Sequence, residues 1–534
     1  KKLIAAEAAT WLNENFTTSW AQVKKAVDQY FLGGVNHIVY HGTAYSPQQA
    51  SWPGWLFYAA VQFQPTNPQW NDFKKLNEYV TRVQSWLQKG DPSTDVLLYY
   101  PLADAYSAPG DNLLQHFDGM DKNFEGSSFS KTASWLLDNG YAFDFFSDRQ
   151  LLNFSVNQQN IITEGKLKAK IILVPSIGLM DQKSLEKLFQ LTKQGARIAF
   201  LDRLPEDVPG FYDYTNRSRL FSELKKQFRF TTAVQASESL KLGDGQVFIG
   251  KDLRRILSQA SIRYERYSAK GLRWTRRELP DGVLYFVENT SNRKINSLFK
   301  FPNQNLHGYL MNPMTGEIGN AKTIDIDQEK EFQLSLDKEE TMLIYFSINK
   351  FNNLGYPYDT YLGKTDTIAG LWKVQFLAGG PALPMDYTTA DLSSWTEWPI
   401  KDVKEFSGTA RYTLNFKWQG NASIDYLLNL GTVQSTCSVK INGEDFGSLI
   451  GPYFKVRIPG SILKTENTIE VEVSNLMANR IAYLDRAGIN WKRFYNINMS
   501  AKHQENLING VFSASSWKPF PSGLFGPVLL SPIE

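Results

Sequence analysis

The chain has one cysteine, Cys437, so it can close no intrachain disulfide and build no cysteine-based zinc cluster. Cys437 lies in the alternating run Thr436-Cys-Ser-Val-Lys-Ile441 and reads as a buried strand residue. A single cysteine is compatible with cytoplasm or periplasm. No apolar run approaches the roughly 18–20 residues of a membrane span. Excess charge is also scarce: 57 Lys and Arg against 54 Asp and Glu leave +3. That is too little to argue for nucleic acid or an anionic membrane. No phosphate-binding GxGxxG or GxxxxGK[ST] follows a strand, no Cys-His-Glu set suits an amidotransferase, and there is no internal repeat or low-complexity tract. The sequence opens on Lys1 with no initiator Met or signal-peptide pattern, and Lys1 is expected to stand already at the edge of a strand. The expectation is that the chain begins inside a larger protein.

Aromatics, by contrast, reach 14%, with 14 Trp. Secreted carbohydrate-handling proteins have this composition, because Trp and Tyr faces stack on sugar rings; core packing takes the larger share of them. A length of 534 residues allows about three or four domains.

The first fifty residues organise the rest. Leu3 to Ala6 is a short apolar run leading into Glu7, and Val35 to Tyr40 is another leading into His41. Ser19 to Leu32 between them is an amphipathic helix with Ser19 as N-cap and Gly33-Gly34 as stop. Strand, helix and strand make a βαβ unit with parallel strands. In barrels built of such units chemistry sits where strands end, and Glu7 and His41 both end strands. The following loop, Tyr45-Ser-Pro-Gln-Gln-Ala-Ser-Trp-Pro-Gly-Trp55, suits the wall of a sugar site. A helix over 70–89 closes this region.

Asp91-Pro92 then punctuates, and strands at 95–101, 141–146, 169–175 and 196–201 alternate with helices at 130–139 and 181–194. That pattern predicts a small doubly wound α/β domain over 93–233. Short alternating strands over 234–350, with Asp244-Gly245 and Asp281-Gly282 hairpin dipeptides, predict a β-sandwich. After a linker-like stretch at 350–369, clean alternation over 351–534 predicts a jelly-roll sandwich.

The arrangement resembles glycoside hydrolase family 106, the α-L-rhamnosidases of plant-cell-wall-degrading bacteria. The resemblance rests on Ala6-Glu-Ala8, on Gly33-Gly-Val-Asn-His-Ile-Val-Tyr-His41 and on Trp52-Pro-Gly-Trp55. Leu430-Gly-Thr-Val, Val439-Lys-Ile-Asn-Gly443, Val471-Glu-Val-Ser-Asn475 and Pro521-Ser-Gly-Leu-Phe-Gly-Pro527 add a sugar-binding-type sandwich that many glycosidases share. It implies that residues 1–92 end a (β/α)8 barrel, followed by a flavodoxin-like domain, a β-sandwich and a galactose-binding-like jelly roll. It also implies inverting hydrolysis by two glutamates, with Glu7 as the base that activates water and the acid upstream of residue 1. A calcium ion goes with the family's site, although no ligand set is picked out here. The chain departs from the family pattern at His37 and at Tyr45-Ser-Pro47.

Glycosidic chemistry needs two carboxyl groups, and Glu7 between Ala6 and Ala8 can project into a cleft uncrowded. His41, Tyr45, Trp52 and Trp55 are the candidate substrate-binding residues, by hydrogen bond or by stacking. The expected partners are an oligosaccharide or polysaccharide and the upstream part of the same protein, in a bacterial periplasm or outside the cell. A β-galactosidase-like hydrolase and a non-catalytic carbohydrate-binding protein are the competing readings.

Overall fold

The computed structural model describes residues 3–56, 58–107, 124–165, 167–228, 230, 237–352, 354–493 and 499–534. They divide into two compact units, one of Lys89–Gly308 and Thr323–Phe351, the other of Leu3–Gln88, Tyr309–Lys322 and Asn352–Glu534.

The second unit begins with strand β1 (Ala5–Ala8), helix α1 (Trp20–Leu32) and strand β2 (His37–Tyr40). The strands pair in parallel, as expected, with Ala5 beside His37 and Glu7 beside Val39. Helix α1 buries Trp20, Val23, Val27 and Phe31, one stripe at helical spacing, and the Gln22 side chain accepts the Ser19 N–H at 2.9 Å to cap its start. Helix α2 (Phe73–Leu87) turns Leu76, Tyr79, Val80, Val83 and Leu87 inward. Among the described residues β1 and β2 form a two-stranded sheet, so no barrel closes within them. One face of that sheet buries Ala8 and Ile38, while the other leaves Val39 48% exposed.

In the first unit, β3 (Val96–Tyr99), β4 (Phe143–Phe146), β5 (Ile171–Val174), β6 (Arg197–Leu201) and the hairpin β7 (Ser237–Leu242) and β8 (Gly245–Gly250) share one sheet. Its parallel strands stand in the order 2-1-3-4-5, the flavodoxin-like order, with β7 antiparallel at the edge. Alternate residues feed two cores. Leu97, Ile172, Ile198 and Val247 point to one face; Val96, Ile171, Ala199 and Phe248 point to the other. At the switch point the Asp104 carboxylate accepts the Gly178 and Leu179 backbone N–H groups at 2.8 and 2.6 Å. This carboxylate closes the loop where such folds take ligands.

The sheet runs to Gly250, beyond the expected boundary at 233/234, which itself lies outside the described residues. Asp244-Gly245 does turn a hairpin, but the strand it feeds is buried on both faces, as an inner parallel strand must be. The β-sandwich follows instead from Leu272. Leu272–Leu279, Gly282–Asn289 and Thr341–Ser347 form antiparallel pairs, and Ile295–Lys300, Glu329–Leu336 and Thr323–Ile326 form a second sheet. Phe299, Phe301, Phe332 and Phe346 pack between them. Arg276 reaches from this sandwich to Asp95 and Glu265, both at 2.8 Å.

The remainder of the second unit is a sandwich of a six-stranded and a four-stranded antiparallel sheet. Trp372, Tyr412, Val439 and Val471 from one and Tyr426, Leu428, Ile458 and Leu530 from the other share a core, with Cys437 fully buried there. The expected linker contributes Asp366–Thr367, which pairs with Leu529–Leu530. Two buried carboxylates join the N-terminal segment to this region within the unit. Asp72 accepts the Thr436 and Ser448 hydroxyls, each at 2.5 Å. Glu14 accepts the backbone N–H groups of Lys502 (3.2 Å) and His503 (3.0 Å) and the side-chain amide of Asn506 (2.9 Å).

Candidate active site

In a strand the side chains alternate, so Glu7 and Val39 share a face and the next residue on that face is His41. The register alone therefore brings the acid and the imidazole together one step past the strand end. His41 Nδ1 donates to Glu7 Oε1. Ala9 then adopts the left-handed conformation (φ 63°), which costs an L-residue about 1 kcal/mol, and turns the chain back. Thr10 Oγ1 consequently donates to the same Glu7 oxygen at 3.2 Å and lies 3.4 Å from His41 Nδ1. Oxygen Oε1 is thus held from two sides, while Oε2 has no protein donor among the described residues. The Glu7 side chain is 59% exposed and that of His41 26%, so the carboxylate is open to an incoming molecule and the imidazole is partly sheltered.

Tyr58 stands edge-on to the His41 ring at 5.6 Å and packs at 6.2 Å against Trp11. Lys502 Nζ fixes the Trp11 and Leu12 carbonyls, each at 2.9 Å. The loop carrying Thr10 and Trp11 is anchored again at Glu14. Burial alone would raise the Glu14 pKa; hydrogen bonds from the Asn506 amide and the Asn15, His503 and Lys502 backbone N–H groups outweigh it, and the net shift is downward.

The other expected residues divide. Tyr45 is 84% exposed and Trp55 44%, so their rings are open to solvent. Trp52 is committed elsewhere. Its indole N–H donates to the Thr66 carbonyl at 3.0 Å, and the Arg480 guanidinium lies over its ring 4.2 Å from the centroid. Thr10, Trp11, Tyr58 and Glu14 were not anticipated. Thr10, three residues past a strand-end acid, carries a usable spacing signal; Tyr58 and Glu14 sit in irregular loops with none.

The donor set supports proton transfer at a carboxylate whose orientation is fixed by an imidazole and a hydroxyl. It does not fit calcium, which takes 6–8 oxygen ligands. Around Glu7 stand one carboxylate, one hydroxyl and one imidazole, and among the described residues no group of three or more His, Cys, Asp and Glu converges.

Comparison with known proteins gives three findings. The family model described as alpha-L-rhamnosidase, glycoside hydrolase family 106, matches residues 1–323. A rhamnosidase from Novosphingobium sp. PP1Y has a similar fold, with a TM-score of 0.75 and 20% identity over 99% of this chain and 48% of its own. A Formosa agariphila protein named provisionally as a beta-glucuronidase is 29% identical over 188 residues, 31% of this chain and 15% of that protein. The chain therefore spans about half of the similar rhamnosidase structure and a smaller part of the curated relative.

Proposed function

The chain belongs to the α-L-rhamnosidase family of glycoside hydrolases, family 106, and from that premise we propose that it forms part of an enzyme releasing terminal L-rhamnose from plant polysaccharide. The observation that carries this reading is Glu7 at its strand end, its side chain 59% exposed, with Oε1 held by His41 and Thr10 and Oε2 without a protein donor among the described residues. Oε2 takes a proton from water as the water oxygen bonds to the anomeric carbon. The bond from that carbon to the aglycone oxygen breaks, and a second carboxyl group protonates the leaving oxygen. Inversion results, with the two carboxyls about 6.5–9.5 Å apart to admit the water. His41 and Thr10 are positioning residues, since they act through Glu7. The second carboxyl is assigned to the part of the family fold that lies outside this chain.

Two features support reading β1 and β2 as the end of a (β/α)8 barrel: each has an unpaired edge among the described residues, and the face bearing Glu7 also exposes Val39. The C-terminal sandwich is read as a galactose-binding-like jelly roll, and the protein is placed in the bacterial periplasm or outside the cell. Tyr45 and Trp55 are assigned to the sugar-facing loop. No step is routed through calcium.

Turnover of an aryl α-L-rhamnoside tests the proposal, together with NMR of the first-formed sugar anomer. Glu7→Gln is expected to lower kcat about 10²–10⁴-fold while circular dichroism is unchanged, and the first-formed rhamnose is expected to be the β anomer. Undiminished turnover by Glu7→Gln, an α-anomer product, or hydrolysis of β-galactosides in place of α-rhamnosides would overturn it. Glycan binding that ignores Glu7→Gln, without hydrolysis, would favour a binding protein.

A further inference from the structure

The first unit carries a cavity of about 790 Å³ whose walls are the loop after helix α3 (Leu253–Gln259) and the segment 299–304 of the sandwich. Its charge is unbalanced. The Glu265 carboxylate is taken by Arg276 (2.8 Å) and the Tyr285 hydroxyl (2.9 Å), and Glu329 is paired with Lys300. Both acids are therefore neutralised by cations of the fold. The guanidinium groups have no such counter-ions. Arg263 makes only long contacts with the Pro302 carbonyl, at 3.4 and 3.5 Å. Arg266 is exposed and has no ion pair or hydrogen bond among the described residues. Arg254 lies over Trp135 and donates to the Asn139 amide oxygen.

Arg254 also lines a second cavity of about 630 Å³, at the carboxyl ends of β6 and β8, where Lys131 stands beside Lys251, itself paired with Asp202 at 3.5 Å. The acid there, Asp252, caps α3 by accepting the Arg255 N–H at 3.0 Å. Arg254 thus lines both cavities, which together make up a basic track. Tyr264, 47% exposed, supplies aromatic surface in the larger one, with the buried Tyr141 ring behind it at a centroid distance of 6.0 Å.

We infer that this track binds an anionic oligosaccharide, one bearing carboxylate or sulfate-ester groups, at a site separate from Glu7. Guanidinium forks match planar or tetrahedral oxyanions, and tyrosine faces pack against sugar C–H groups. The larger volume is within the 300–1,000 Å³ usual for small-ligand sites. Uncharged glycans would leave the guanidinium groups unmatched, and a concave track does not fit a membrane surface. The choice of a saccharide over another anion rests on the glycosidase reading above. Arg254, Arg263, Arg266 and Lys131 are the anion contacts, and Tyr264 the ring contact.

Calorimetric titration of the full chain tests this with tetragalacturonic acid, a sulfated carrageenan tetrasaccharide and uncharged cellotetraose. The anionic probes are expected to bind and cellotetraose not to. Arg263→Ala/Arg266→Ala is expected to weaken binding at least tenfold, with circular dichroism and aryl α-L-rhamnoside turnover unchanged. Raising NaCl from 50 to 300 mM is expected to weaken wild-type binding severalfold, a readout that needs no variant. Preference for one anionic probe identifies carboxylate or sulfate as the recognised group. Equal binding of cellotetraose, unchanged affinity in the double variant, or no binding of either anionic probe would overturn the inference. Because binding is read without turnover, its failure is distinct from that of the rhamnosidase reading, which falls if the aryl rhamnoside is not cleaved.

Discussion

Replacing Glu14 by Gln should loosen the C-terminal segment at 500–506 far more than its isosteric shape suggests. The carboxylate is 6% exposed and accepts from the Asn15 backbone (2.8 Å) and side chain (3.0 Å), from the Lys502 and His503 backbones and from the Asn506 amide. A Gln side chain keeps one acceptor oxygen and turns an NH₂ group toward donors on the other side. At least two buried donors then lose their partner, at about 3 kcal/mol in all. Hydrogen exchange at the Lys502 and His503 amides reads this directly: protection should fall roughly a hundredfold at pH 7. The pH dependence follows from the downward shift of the Glu14 pKa from its ordinary value of 4.5. A carboxylate with a depressed folded-state pKa contributes stability that is fully present above the unfolded value and is lost as pH falls through the folded one. The difference between wild type and Glu14→Gln should therefore hold from neutral pH to about 4.5 and shrink below it. Equal protection of the two proteins at pH 7, or a gap that persists undiminished at pH 3, would refute the reasoning.

Asp72 should behave in the opposite sense. Burial is the largest influence on it and raises its pKa; the Ser448 and Thr436 hydroxyls pull it down and the Glu472 charge adds to the rise, leaving a net upward shift. Its stabilising contribution is full below the ordinary 3.8 and is lost as pH rises through the folded value. Asp72→Asn should accordingly change stability at pH 7 by no more than about 1 kcal/mol, whereas Asp72→Ala, which strands both hydroxyls, should cost about 2–3 kcal/mol in urea unfolding. Equal losses would refute this. In the first unit, Arg276 has a side chain 13% exposed between Asp95 and Glu265. Arg276→Met should cost about 3–5 kcal/mol by the same assay, because two largely buried carboxylates lose their shared cation; a loss below about 1 kcal/mol would count against that account.

Local patterns carried the sequence reading furthest. The Ser19 cap, the Gly33 stop and the apolar stripe of Trp20, Val23, Val27 and Phe31 predict α1, and the two flanking apolar runs predict the parallel pair that sets Glu7 beside His41. The doubly wound sheet was legible as far as β6 for the same reason. Its last strand was not, because Gln246-Val-Phe-Ile249 follows a hairpin dipeptide and looks like the start of an all-β domain. Only the pairing partner distinguishes the two. Trp52 shows a different limit: an aromatic in a Pro- and Gly-rich loop suggests a sugar platform, but its ring is covered by Arg480, more than four hundred positions away. Glu14 and Asp72 are invisible to any local pattern, since their partners lie at 500–506 and at 436 and 448.

Those two carboxylates also impose an order of events during synthesis. The Glu14 side chain leaves the ribosome with its Asn506 partner still 492 residues away in sequence. At about 5–20 residues per second that is a wait of roughly 25–100 s. Throughout it the β1–α1–β2 segment carries Glu14 without most of its donors, and Asp72, just before α2, waits likewise for Thr436 and Ser448, while Lys89–Gly308, complete in sequence apart from its last strands, can collapse first. The strands that hold Glu7 and His41 are thus made well before the segments of this chain that anchor them.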